Sequence, residues 1–238
     1  MNNVEVVIAR YKEDISWIKL LNPLLPYRTR VYNKFEGENL LPNVGREAHT
    51  YLTHIVENYD NLADYTVFLQ GDPIYHCRDL LKIIDLTHTL EFDFLCMSDG
   101  FITCDVNGRP GCGGGGKIHT PVGKHYEWVT GKKSPQVFES PSSAQFAVSR
   151  KVIVGNPRSL YERCLLSVKH ENNPIEAHCL ERSWASIFGF VSSKKCQDLH
   201  YRIDNELDFE SYVREHYAEG EMKLAGSLGA YSVDESKT

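Results

Sequence analysis

The first constraint comes from residues 4–9, a strand-length run in which nearly every side chain is apolar. A strand without a polar face must be covered on both sides, which is the condition of a strand inside a parallel sheet. Ile15, Trp17, Ile18 and Leu21 then suggest a helix that Pro23 and Pro26 end, and Tyr27–Asn33 alternates as a strand does. A helix follows with Asn43 as its N-cap and Val44, Ala48, Leu52, Ile55 and Tyr59 at spacings of three and four. Residues 65–69 form another short β-rich run. Strand, helix, strand, helix, strand predicts an α/β fold with a mostly parallel central sheet flanked by helices and joined by right-handed crossovers.

The rest of the chain extends that pattern. Residues 79–86 read as a helix with Leu80, Leu81 and Ile84 inward, and residues 92–97 as a strand emptying into Ser98-Asp99-Gly100. A short strand is expected within 142–150, a helix from Asn156 and Pro157, and a second from Pro174 to a stop at Gly189. Phe209, Tyr212 and Val213 suggest a last helix. Residues 100–140 differ: an Asn107-Gly108 turn, five glycines in residues 111–116 and scattered aromatics predict a mobile insertion, a glycine-rich lid over the site. A plain linker is the alternative. The glycines do not match a phosphate loop, lacking a Gly-Lys-Ser/Thr ending. One domain over 1–225 with a frayed tail at 226–238 accounts for the length.

Bulk properties narrow the function. A formal charge of −6 argues against a nucleic-acid surface, and no segment has the length of a membrane span. Seven cysteines without paired metal-ligand spacing, and no leader-like N-terminus, predict reduced thiols in a cytoplasmic protein. Serine-elbow, His-Glu-x-x-His and Cys-x-x-Cys motifs do not occur.

Candidate site residues cluster where strands end and helices begin, the places where open α/β sheets bind ligands. Asp72, in Gln70-Gly71-Asp72-Pro73, follows a strand and suits one ligand of Mg²⁺ or Mn²⁺ shared with a diphosphate; simple turn chemistry competes with that reading. Arg46, in the first helical turn, suits an anion at a helix mouth with free amides; the alternative is an ion pair with Glu47, Glu57 or Asp60. His49 on the same face is either a ligand or a structural histidine. Arg10, Tyr11 and Asp14 follow the first strand, where a nucleotide base and ribose can be held, or they make an ordinary loop with Asp14 as a cap. Glu181, within a turn of His178 and Arg182, is the candidate general base, against a surface ion pair with Arg182 or Arg163. Asp99, at another strand end, is the reserve base.

Four segments, ARYxED at 9–14, LPNVGREAHTYL at 41–52, VFLQGDP at 67–73 and LERxW at 180–184, resemble an uncharacterised family of fungi, bacteria and large DNA viruses. That family is similar to nucleotide-sugar glycosyltransferases of the GT-A fold, including a glycosyltransferase domain of large algal viruses. The resemblance implies a Rossmann-like GT-A fold and transfer of a sugar, with a UDP-sugar as donor and a glycan hydroxyl as acceptor. If the chain is viral, the implied location is the host cytoplasm. On these residues it implies nucleotide contacts from Arg10, Tyr11, Asp14, Asn43, Arg46 and Gln70. It further implies Mn²⁺ or Mg²⁺ on Asp72 with His178 completing the shell, and Glu181 as base. Gln70-Gly71-Asp72 replaces the Asp-x-Asp of such enzymes. Rivals are a non-catalytic nucleotide-sugar or carbohydrate binder, and a nucleotidyltransferase or sugar-phosphate hydrolase using the same diphosphate cradle.

Overall fold

A computed structural model describes residues 1–109 and 120–190. β1 (Val4–Arg10), β2 (Tyr27–Asn33) and β3 (Tyr65–Gln70) form where the apolar and alternating runs predicted strands. β1 pairs in parallel with both neighbours, Val4 lying opposite Tyr27 on one side and Tyr65 on the other. The remaining elements are α1 (Arg46–Asn58), α2 (Leu80–Leu86), β4 (Phe94–Cys96), β5 (Phe101–Asp105), α3 (Val122–Thr130), β6 (Val137–Pro141), β7 (Phe146–Ser149), α4 (Arg150–Val154), α5 (Arg158–Val168) and α6 (Ile175–Ile187).

The central sheet has the order β2-β1-β3-β7-β4. It is mixed, because β7 runs antiparallel to both β3 and β4. The chain is thus an α/β protein with a mixed five-stranded sheet flanked by helices, and a small β5-β6 sheet beside it. Alternating side chains divide the core. Val7, Phe68 and Phe146 face one way with α1, α3, α5 and α6, whereas Val6, Val67 and Leu69 face the other with α2 and Trp17. On the first face Tyr51 packs on Phe68, Phe146 and Trp184, with ring centroids 4.9, 5.9 and 6.5 Å apart. Each such aromatic pair adds about 0.5–1.5 kcal/mol beyond area burial.

Four expectations change. The segment after β1 makes a single 3-10 turn, Ser16–Leu20, not an α-helix, since Leu21 is already extended and Pro23 follows. Asn43 does not cap α1: Gly45, at φ +62°, is the N-cap, and Asn43 is exposed with its carbonyl accepting from Asn172 Nδ2 at 3.3 Å. Within 100–140 the described part is ordered structure, β5, β6 and α3, with Val122, Tyr126 and Val129 buried. The glycines of residues 111–116, the expected helix around Phe209 and the tail at 226–238 lie outside the described residues. Finally, Ser149 ends β7 and caps α4, its Oγ accepting from Val152 N, so residues 142–150 hold a strand and a helix start.

Candidate active site at the carboxyl rim of the sheet

β1, β2 and β3 are parallel, so their last residues Arg10, Asn33 and Gln70 reach one rim of the sheet. Glu13 organises the loop after β1: its Oε2 accepts from the amides of Tyr11 at 2.6 Å and Lys12 at 3.1 Å. The same side chain fills the space over Gly71, where an added Cβ would lie 2.7 Å from Glu13 Oε2. Trp17 Nε1 donates to the Gly71 carbonyl at 2.9 Å. Two independent contacts therefore fasten the β1 loop to the β3 loop, and set Arg10, Tyr11 and Asp14 beside Gln70 and Asp72.

Within that rim Arg10 is already committed, its Nε to the Glu13 carbonyl and its Nη1 to Asn33 Oδ1 at 2.9 and 3.0 Å. Tyr11 is 40% exposed, edge-on to exposed Phe35, and the Lys12 ammonium lies over both rings. Asp14 binds the amide and hydroxyl of Ser16, which hold its carboxyl below the usual range, while the N-cap of the turn is Ile15. Gln70 donates to the Ser143 carbonyl at 2.8 Å. Gln145 donates to the carbonyls of Pro73 and Met97, bracing the loop that carries exposed Asp72. Asp99 accepts from the Arg78 amide and pairs with its guanidinium at 3.2 Å on the surface. That contact ties Asp99 to the segment leading into α2.

The mouth of α1 is built from distant pieces. Gly45 N donates to the Glu171 carbonyl and Arg46 N to the Asn172 carbonyl, at 2.8 and 3.1 Å. The first two amides are therefore occupied, which corrects the expectation of free amides there. Lys34, just past β2, donates from its ammonium to the Val44 and Arg46 carbonyls. Burial pulls the Lys34 pKa down to about 8, opposed by Glu47. Arg46, itself at φ +50°, pairs with Glu47 at 3.5 Å, as the plain ion-pair alternative predicted. It also reaches out of its own helix: Nη1 contacts Asn173 Oδ1 at 3.4 Å, and His178 Nε2 lies 3.0 Å from the same oxygen.

His178 Nδ1 is 3.9 Å from Glu181 Oε2, and Arg182 Nη1 is 3.5 Å from it. Arg46, His178 and Glu181 are thus brought together through Asn173, and the Glu181–Arg182 pair named as the alternative is also present. Glu47 was overlooked. Its carboxyl is buried and held protonated more readily than usual, by burial first and by the Glu181 charge in the same direction, with Arg46 opposing. Tyr51 lies beneath, its hydroxyl without a hydrogen-bond partner among the described residues and its pKa raised by burial and by both glutamates. His49 is buried and neutral, its pKa near 4 because of burial and the neighbouring Lys34 charge. The signal for Glu47 was available in part, since it follows Arg46 directly in the sequence and was named as its ion-pair partner.

Among the described residues no three His, Cys, Asp or Glu side chains gather as a metal group. His178 is also engaged by Asn173 and Glu181, so Asp72 is the simpler oxygen donor for a hard cation. No helix of the described residues is long and apolar enough to cross a membrane. The five described cysteines are buried thiols outside any disulfide. A 780 Å³ cavity lined by Asp64, Glu91, Asp93 and Arg150 lies at the opposite, amino rim, away from these groups.

Over residues 6–202 the sequence matches the family described as Protein of unknown function (DUF3431), and the chain belongs to that family. No curated protein and no solved structure matches it.

Proposed function

We propose that this member of the DUF3431 family is a glycosyltransferase. It moves a sugar from a UDP-sugar to a hydroxyl of a glycan acceptor; Asp72 would hold Mn²⁺ or Mg²⁺, which would supply charge neutralisation to the donor diphosphate. The observation that carries the reading is the joining of an anion-binding group to a proton acceptor. Asn173 Oδ1 contacts both Arg46 and His178, and His178 stands against Glu181. Support for the donor pocket comes from the fastening of the Arg10–Asp14 loop to Gly71, the neighbour of Asp72.

In this reading the exposed rings of Tyr11 and Phe35 take the base, and Arg46 balances charge growing on the departing diphosphate. Fixed charge aimed at a developing anion usually contributes more to such catalysis than any other effect. The cation, when bound, supplies further neutralisation of that leaving group. Glu181 accepts the acceptor hydroxyl's proton. Burial of Glu47 favours its neutral form, which lessens negative charge beside the base, and His178 and Arg182 orient Glu181. A single base with no second nucleophile favours inversion.

Calorimetry with UDP tests this directly. Binding should strengthen when Mn²⁺ is added, and Asp72→Ala should remove the dependence on the metal. Glu181→Gln should bind UDP normally while losing formation of UDP and extended acceptor, as read by mass spectrometry. UDP binding that ignores Mn²⁺ in both wild type and Asp72→Ala ends the proposal.

A further inference from the structure

Lys34 directly follows β2 and is only 8% exposed. Lysine seldom goes that deep without a partner, because taking an ammonium out of water is costly. Its partners here are two backbone carbonyls, those of Val44 and Arg46, which accept from the same Nζ. Gly45, between them, has φ +62°, and Arg46 has φ +50°. At this left-handed pair the two carbonyls turn towards one point, and a single positive charge fits between them. An apolar chain of the same length could fill the space but would leave both oxygens without that donor.

The backbone of Lys34 makes a second connection. Its amide donates to the Arg10 carbonyl at 2.9 Å, and Asn33 beside it accepts from Arg10 Nη1 at 3.0 Å. One residue therefore holds the loop after β1 with its main chain and the mouth of α1 with its tip. Arg46 reaches Glu47 and Asn173 from backbone whose carbonyl Lys34 grips. Titratable neighbours come from the elements packed around the ammonium. From α1, Glu47 attracts it, and His49 is a neutral ring, its pKa pushed to about 4 by burial and by Lys34 itself. From the loop after β1, the Arg10 guanidinium is turned to Glu13 and Asn33. From α6, Glu181 acts on Glu47. Burial draws the Lys34 pKa down to about 8, so its charge can be removed while every arginine keeps its own.

We propose that Lys34 is a positioning residue for Arg46, its ammonium fixing the left-handed backbone that presents the guanidinium and its amide tying that corner to the loop after β1. The assignment rests on the transferase reading only in naming UDP as the anion that Arg46 receives. Hydrogen bonds from a neutral amine are roughly half as strong as those from an ammonium, so the corner loosens as the proton leaves. NMR on the full chain without ligand, from pH 6.5 to pH 9.5, follows the carbonyl ¹³C shifts of Val44 and Arg46 beside the Lys34 Cε shift. Both carbonyls should move with the midpoint of the lysine, while the Val6 carbonyl within β1 stays still, and Lys34→Met should abolish the step. Calorimetry with UDP and Mg²⁺ reads the consequence. Between pH 7 and pH 9 the wild type should lose affinity by about fivefold or more. Lys34→Met should be weakened to the same degree at both values, and Lys34→Arg, charged throughout, should show no such loss. The proposal is overturned if the two carbonyls keep their shifts while Lys34 titrates, or if Lys34→Met binds UDP at pH 7 as the wild type does. If Lys34→Met does not fold, the wild-type carbonyl titration decides by itself. A wild type that binds no UDP at any pH ends the transferase reading, and the carbonyl shifts, measured without UDP, still decide the role of Lys34.

Discussion

Gly45→Ala isolates the backbone demand at the mouth of α1. Gly45 has φ +62°, and a Cβ there would meet the Val168 carbonyl oxygen at 2.6 Å and the Cβ atoms of His49 and Val168 at 2.9 Å. The nearest of these is backbone, which cannot swing aside as a side chain tip can. Retreat of Gly45 would also break its amide bond to the Glu171 carbonyl. Left-handed backbone costs an L-residue about 1–2 kcal/mol, and overpacking adds about 1–3 kcal/mol, so a loss of about 2–5 kcal/mol is expected. Gly131→Ala supplies the control: its φ is +69°, yet nothing lies within 4 Å of the added Cβ, so only the conformational cost of about 1–2 kcal/mol applies. Urea unfolding followed by far-ultraviolet circular dichroism measures both, read from midpoint shifts at constant slope. Equal losses in the two variants would refute the claim that crowding by Val168 and His49 fixes this turn.

Two further variants probe the same corner. Arg46 sits at φ +50°, so Arg46→Gly should unfold at higher urea than Arg46→Ala, by about 1 kcal/mol, while both lose UDP affinity to the same degree; an Ala variant that is the more stable would contradict the strain argument. Glu47 has its folded pKa raised above 4.5, so its contribution to stability is full below that value and is lost as pH rises through the folded pKa. Glu47→Gln should therefore flatten the loss of stability above pH 4.5 and be the more stable form at neutral pH, checked by thermal melts across pH; a variant with an unchanged profile would show that Glu47 does not titrate in this way.

Elements with strong local patterns were legible. Tyr27–Asn33 begins and ends where its alternation does, and α6 starts behind Pro174 and stops before Gly189, as its punctuation predicts. Strand direction was not legible, because the four residues of β7 carry the same apolar pattern whichever way they run. Asn43 failed as a cap for a related reason. The groups that set the start of α1 are the Lys34 ammonium and the carbonyls of Glu171 and Asn172, and no window around residue 43 contains the latter two. α3 could have been found: Val122, Tyr126 and Val129 have helical spacing, with Pro121 before and Gly131 after. The neighbouring glycines and turn residues outweighed it. At the site, His178 and Glu181 share one helix face and were legible as neighbours, whereas their meeting with Arg46 through Asn173 depends on α6 arriving across the start of α1.

The single reversed strand has a consequence for how the molecule is made. Because β7 runs opposite to β3, its leading residues arrive at the carboxyl rim, and Ser143 meets Gln70 across 73 positions of chain. Closing so wide a loop is slow compared with forming the helices on either side. On a ribosome, the first three strands can pair while the rim still lacks one wall. Ligand binding there would then report that β7 has been made and has closed onto β3.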